Sequence, residues 1–309
     1  MDSHTARVLF SDYLSAMTRA GIVTVVGRPN AGKSTLLNKL VGEKLAITSP
    51  KPQSTRKRVV GILTRPDAQL IVHDTPGLLH PRYALHRAMR SEALAALADA
   101  DVIAYLVDGS RGDVQPLVDV GHLDAPPRAP VLVVINKADL LTDEQRERLA
   151  AANPEAIFVS ASTGEGIEAL EARLVASLPE SPFLYDGEDI ATQNLRFFVE
   201  ELVREAALEQ LEDEVPYSIA CEVEEFREER DPVYIRVVLF VERESQKHIV
   251  IGREGERIRA IGTAARSKVE ALVGRRVFLD LWVKVLDNWR RNERSLKRFG
   301  FVIPEDSAS

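Results

Sequence analysis

The chain has 309 residues, 45% hydrophobic and 28% charged, with a formal net charge of −7. That composition is globular, and the length gives each of two domains material for its own core. The single cysteine, Cys221, rules out an internal disulfide and fits a buried thiol in a reducing compartment. No apolar run approaches the roughly 20 residues of a membrane-spanning helix, and the net negative charge argues against indiscriminate nucleic-acid binding by the whole chain.

Residues 1–20 lack the apolar centre and small-residue cleavage site of a secretory signal and read as a short N-terminal extension. From Gly21 the pattern becomes rhythmic. Strand-like runs at Ile22 to Val26, Leu70 to His73, Val102 to Val107, Val131 to Ile135 and Ile157 to Ser160 alternate with helical patterns at Lys33 to Val41, Ala84 to Leu97, Asp143 to Ala151 and Glu165 to Leu178. Near-continuous apolar strands between helices predict a doubly wound, mostly parallel α/β sheet covered on both faces over residues 21–178.

Within it, Gly27-Arg28-Pro29-Asn30-Ala31-Gly32-Lys33-Ser34 joins the first strand to the first helix, with Thr35 next in the helix. This spacing predicts a P-loop, in which backbone N–H groups and the helix N-terminus face phosphate oxygens. Lys33 places a point charge on the outer phosphates, and Ser34 offers a hydroxyl to Mg²⁺. The loop alone does not choose among kinases, ATPases and GTPases.

Asp74-Thr75-Pro76-Gly77 closes a strand, so that Asp74 can hold Mg²⁺ through water and the Gly77 amide can touch a γ-phosphate. Asn136-Lys137-Ala138-Asp139 ends the next strand but one, at the carboxyl edge where open α/β sheets bind ligands. A carboxylate at Asp139 accepts both guanine N1–H and the 2-amino group; adenine offers neither, and such unmet pairing gives discrimination on the order of 10⁴ or more. Ser160-Ala161-Ser162 follows the next strand and offers the Ala161 amide to guanine O6.

In this order the four elements resemble the signature of the translation-factor-related GTPases. That resemblance makes Lys51-Pro52-Gln53-Ser54-Thr55-Arg56 the first switch, with Thr55 as the sensor of Mg²⁺ and γ-phosphate and Ser54 as the alternative. Leu78 stands where related GTPases carry a water-orienting glutamine, so hydrolysis is expected to be slow unless stimulated. Asn30 resembles the loop asparagine that supports potassium in some of these proteins.

The rhythm ends at Leu178, and Pro179, Pro182 and Asp186-Gly187 mark a linker over 179–190. The remainder, 191–309, reads as α-β-β-α-α-β with a basic helical tail near Asn288 to Arg298. Charge is segregated there: Arg196 to Asp231 holds 4 basic against 13 acidic residues, and Arg243 to Arg298 holds 15 against 7. Between the two adjacent helices lies Ile251-Gly252-Arg253-Glu254-Gly255, followed by Arg257 and Ile258.

In that element order the Gly-x-x-Gly turn resembles the bacterial-type KH domain, whose loop clamps about four single-stranded nucleotides. Arg253, Lys247, Arg257 and Arg259 supply charge that Glu254 and Glu256 dilute. Trp282 and Trp289 are candidates for base stacking, although alternation along the last strand places Trp282 in the core.

From about Gly21 to Phe301 the chain resembles the Era-type family of bacterial GTPases with a C-terminal KH domain. Val26 to Asn30, Gln53 to Arg56, Leu239 to Glu242 and Leu281 to Lys284 carry this likeness. It implies GTP and GDP as ligands and a target near the 3′ end of small-subunit ribosomal RNA. It also implies a role in assembling the 30S subunit and a cytoplasmic location with peripheral membrane association; the expected state is a monomer. The rival readings are a non-catalytic RNA-binding protein stabilised by nucleotide and a small-molecule kinase, the latter disfavoured by Asn136 to Asp139.

Overall fold

The computed structural model describes residues 18–303, so residues 1–17 of the expected N-terminal extension lie outside it. The described residues form two compact units. One holds the chain through Glu43 with Val59–Thr75 and Ala95–Thr192; the other holds Lys44–Arg58, Pro76–Leu94 and Gln193 onward.

The first unit is built on β1 (Arg19–Gly27), β2 (Val59–Thr64), β3 (Ala68–Asp74), β4 (Val102–Asp108), β5 (Val131–Asn136) and β6 (Ile157–Phe158). They line up as β2-β3-β1-β4-β5-β6. All pairings are parallel except β2 with β3. Every residue of β3 is buried, the apolar Leu70 to Val72 as expected for a strand covered on both faces, and the polar Gln69, His73 and Asp74 with them. The helices α1 (Lys33–Val41), α3 (Leu117–Gly121), α4 (Asp143–Ala152) and α5 (Ile167–Ser177) alternate with the strands, while α2 (Ala84–Ala98) belongs through Leu94 to the second unit. α4 starts on a capping box formed by Thr142 and Gln145.

Strand order reverses at β1, with β3 on one side and β4 on the other. The carboxyl end of β1 is therefore the topological switch point, where two crossovers part and leave a crevice. The P-loop sequence begins there.

In the second unit, α6 (Leu195–Gln210), β7 (Ala220–Arg227), β8 (Val233–Val241), α7 (Glu244–Ile251), α8 (Glu256–Val273) and β9 (Val277–Val285) follow the expected order, and α9 (Glu293–Arg298) is the last helix among the described residues. β8 is central, antiparallel to β7 and parallel to β9. Odd-numbered residues Val233 to Val241 of β8 join Val199, Val203, Ile261, Ala265 and Val269 in the core under the helices. Even-numbered Val238 and Phe240 meet a second cluster on the opposite face, made by Leu85, Met89, Trp289, Leu296 and Phe299.

One expectation is corrected here. In β9 the odd residues Val277, Leu279, Leu281, Val283 and Val285 pack against the core. The two-residue period then turns Phe278 and Trp282 outward, and Trp282 is 50% exposed. The tryptophan in the core is Trp289, 0% exposed, whose indole N–H donates to the Ser218 carbonyl at 2.7 Å. It is closed to base stacking in this structure.

Candidate functional site

Gly27 and Gly32 take φ of 156° and 97°, in the region that favours glycine. A Cβ on Gly27 would lie 2.2 Å from the Leu106 carbonyl oxygen, and one on Gly32 would lie 2.2 Å from Asn136 Nδ2. The loop therefore curls against the ends of β4 and β5 only because those positions lack side chains. Arg28 and Pro29 are part-exposed, Asn30 is exposed with a left-handed backbone, and Ala31 is buried. Arg28 donates to Gln115 Oε1 at 2.5 Å, bracing the loop from outside.

Lys33 is buried, with Nζ 3.1 Å from the Arg28 carbonyl oxygen and 3.4 Å from that of Gly27. Burial pulls its ammonium below the usual lysine range, and Asp74 partly offsets that. The Ser34 hydroxyl donates to Asp74 Oδ2 at 2.6 Å, and the Thr75 hydroxyl donates to the Val25 carbonyl at 2.9 Å. Thr35 continues α1 and is part-exposed. A desolvated ammonium, a left-handed glycine loop at a helix N-terminus and a hydroxyl beside a carboxylate form a donor set that fits a triphosphate with a hard divalent cation.

The base-side elements converge on the same edge. Asn136 is buried; its Nδ2 donates to the Ala31 carbonyl at 2.8 Å and its Oδ1 accepts the Ala161 amide at 3.0 Å. Asn136 thus joins the P-loop to the segment Ser160-Ala161-Ser162, and the amide expected at guanine O6 is engaged by it here. Ser160 and Ser162 share a hydroxyl contact of 3.0 Å. Lys137, with φ of 63°, reaches Asp108 at 2.7 Å, while Asp139 is exposed. Burial opposes ionisation of Asp108, but bonds from Lys137 and Ser110 outweigh it and hold the carboxyl below its usual range. Sequence reading missed Asp108, although it ends an apolar strand at the carboxyl edge just as Asp74 does.

Thr55, Pro76 and Gly77 belong to the second unit, where Thr55 and Leu78 are buried. The segment 44–58 is fastened there by charged side chains. Arg56 is buried and donates to the carbonyls of Ile219 at 2.5 Å, Tyr217 at 2.9 Å and Pro216 at 3.4 Å. Burial first, then the nearby Arg204 guanidinium, draw Arg56 down to about 9, which leaves it cationic at neutral pH. Arg204 donates to the Ser54 carbonyl, and Lys51 donates to the carbonyls of Leu208 and Leu211 at the end of α6. Glu205 accepts from Lys44 and Lys268, each at 2.8 Å, and from the Thr48 amide at 3.2 Å.

The Gly-x-x-Gly turn joins α7 to α8. Gly252 has φ of 74°, and a Cβ there would meet the Arg257 backbone nitrogen at 2.9 Å. Glu254 and Gly255 are also left-handed, and Arg259 Nη1 steadies the turn by donating to the Glu254 carbonyl at 2.7 Å. Arg253, Glu254 and Arg257 are exposed; Lys247, Ile251 and Ile258 are half-buried. Beside the turn, Ile258, Arg259, Gly262, Thr263 and Arg266 of α8 face Phe278, Leu279 and Leu281 of the edge strand β9 across an open groove.

Residues 22–137 match the family model described as 50S ribosome-binding GTPase, and residues 214–290 match that of the KH domain. The chain is 42% identical over 296 residues to GTPase Era of Pseudomonas putida, covering 92% of this chain and 97% of that one. The chain belongs to the Era family of GTPases. Its likeness to GTPase Era of Azotobacter vinelandii is also 42%, over 292 residues, with 92% and 97% covered. A crystal structure of Era with MgGDPNP and nucleotides 1506–1542 of 16S ribosomal RNA superposes with a TM-score of 0.85 at 36% identity, covering 93% of this chain and all of the other. A single-residue variant of Aquifex aeolicus Era bound to GDP and AlF4⁻ gives 0.85 at 35% identity with the same coverage. The Era fold of a P-loop GTPase followed by a KH domain is thus that of this chain.

Proposed function

We propose that this Era-family chain binds and slowly hydrolyses GTP, binds small-subunit ribosomal RNA near its 3′ end through the KH groove, and assists assembly of the 30S subunit. The observation that carries the GTP half is the meeting of buried Lys33, the Ser34–Asp74 bond and Asn136 at one switch point. The RNA half is supported by the Gly252–Gly255 turn beside its groove and by the relative solved with 16S RNA. Residues 21–178 act as the GTPase domain, 179–190 as the linker and 191–309 as the KH domain.

In this reading Lys33 and the amides of Gly27 to Ser34 take up phosphate charge, with Thr35 closing the first turn. Ser34 and Thr55 would hold Mg²⁺, with Asp74 reaching it through water, and the ion would supply charge neutralisation to the phosphates. Thr75, Pro76 and Gly77 bring an amide to the γ-phosphate, and Asn136, Lys137, Asp139 and Ser160 to Ser162 frame guanine. Water attacks the γ-phosphorus and the bond to the β–γ bridging oxygen breaks, giving GDP and phosphate. Leu78 offers no group to orient that water, so the rate depends on a stimulant such as RNA or on K⁺ near Asn30.

Among the described residues no helix is long and apolar enough to cross a membrane. The reading is of a cytoplasmic monomer, with peripheral membrane contact through Arg290 to Arg298. Hydrolysis by wild type and Lys33→Ala, with and without a 16S 3′-end fragment, tests the whole. Stimulated turnover should fall at least about 100-fold in the variant, and absence of turnover by wild type even with 30S subunits sinks the enzymatic reading. Equal rates in K⁺ and Na⁺ remove the potassium role.

A further inference from the structure

The outward face of the β7-β8-β9 sheet is divided. Val238 and Phe240 are covered by the second core cluster, whereas Tyr234, Arg236, Phe278 and Trp282 remain at the surface. Phe278 is 56% exposed and Trp282 50%, an unusual display of large aromatics unless something lies on them. Register pairs Tyr234 with Phe278, Arg236 with Asp280 and Val238 with Trp282. The Tyr234 and Phe278 rings stack, with centroids 5.9 Å apart and planes 12° from parallel. The Arg236 guanidinium lies 5.3 Å from the Trp282 ring and, with Arg227 and Arg230, within 5.7 Å of the Tyr234 ring.

These side chains are held in place. Tyr234 Oη donates to Asp280 at 2.7 Å, the Trp282 indole donates to Asp280 at 3.0 Å, and Arg236 bridges Asp280 and Glu225 at 2.9 Å each. Three guanidiniums therefore meet the aromatic platform, with Arg227 and Arg236 paired to Glu225 and Asp280 and with Glu228, Glu229 and Asp231 exposed in the loop beside Arg230. Phe278 also lines the groove beside the Gly252–Gly255 turn. The platform is thus continuous with the groove around the free edge of β9.

We propose that this face is a second single-stranded RNA surface, which takes the nucleotides leaving the KH groove and stacks bases on Phe278 and Trp282, with Arg230 and Arg227 meeting phosphates. Exposed aromatics on a sheet accept any base face, and each stacked base contributes substantially to affinity without sequence readout. The clamp at Gly252–Gly255 accounts for about four nucleotides. Phe278 and Trp282 stand four residues apart, about 13 Å along β9, which separates two stacking positions with Arg236 between them. The inference rests on the KH reading above, and the experiment separates the two.

The chain has two tryptophans, and Trp289 is buried, so Trp282 reports on this face. The full chain is titrated with four- and ten-nucleotide single-stranded RNAs from the 3′ end of 16S RNA, following affinity and tryptophan emission. The ten-mer should quench emission and bind at least about tenfold more tightly than the four-mer. Trp282→Ala should weaken the ten-mer about tenfold and leave the four-mer within about twofold, whereas Phe278→Ala, which also lines the groove, should weaken both. Arg230→Glu, which keeps Phe278 and Trp282 and removes one cation over the Tyr234 ring, should weaken the ten-mer and flatten its salt dependence. Wild-type affinity for the ten-mer in all three variants, or no quenching, overturns the proposal and leaves the face to a protein partner. If Gly252→Asp with Gly255→Asp leaves both RNAs bound as before, the KH reading fails, while the face is still judged by Trp282, which lies outside the groove lining.

Discussion

At Gly32 one missing side chain joins two halves of the nucleotide site. Alanine there meets Asn136 Nδ2 at 2.2 Å and a left-handed backbone, so Asn136 must give up its bond to Ala31, its bond to Ala161, or both. Gly32→Ala should cost about 100-fold in GDP affinity, roughly 2.7 kcal/mol, together with about 1–3 kcal/mol of stability from the unpaired Asn136 amide; calorimetric titration and thermal melting measure the two. His86 makes a different prediction. Burial, then the cations Arg290, Arg82 and Arg56, lower its pKa to about 4 from an ordinary value near 6.5, and its Nε2 faces Gln53 Oε1 at 3.2 Å. Between those two values the unfolded chain binds more protons than the folded one, so stability rises with pH across that window. Acidifying from pH 6.5 to 4 should remove on the order of 2 kcal/mol that His86→Phe does not lose, as read by urea titration at several pH values.

At the scale of an element, the segment Lys44–Arg58 has no regular structure of its own beyond turns, and its order comes from borrowed partners. Arg56 satisfies three carbonyls that precede β7, and the Trp289 indole satisfies the carbonyl of Ser218 between them. Arg56→Met removes the charge and leaves those acceptors buried, for an expected loss of about 3 kcal/mol. Hydrogen exchange should then quicken in 44–58 and at Ile219 while β4 and β5 keep wild-type protection; uniform protection throughout contradicts this assignment.

Long periodic elements were legible in the sequence because burial dictates them: β3, β8 and α8 appear where apolar spacing put them. The fastening of 44–58 was not legible, since it depends on main-chain carbonyls that carry no sequence signal. Trp282 misled for a related reason. A period of two assigns residues to two faces but does not say which face is the core, and the outer face of β8 has a core of its own at Val238 and Phe240.

For the whole molecule, the compact unit that contains the KH fold also contains the segments bearing Thr55 and Gly77. Ligands that select different arrangements of those segments must therefore select among states of the RNA-binding unit, and the effect is reciprocal. RNA affinity with a nonhydrolysable GTP analogue should differ at least about fivefold from that with GDP, and RNA should shift the analogue-to-GDP preference by the same factor. Titrations in both orders measure it; a factor of one in both directions removes the coupling.

The placement of α2 has a consequence for the newborn chain. Leu85 and Met89 pack against Trp289 and Phe299, roughly 200 residues later in the sequence. At bacterial rates of synthesis that separation lasts about 10–40 s, during which the P-loop half has left the ribosome while those apolar side chains still wait for their cover. A chaperone that recognises short exposed apolar segments should therefore bind the nascent chain over this interval and release it once Phe301 has emerged.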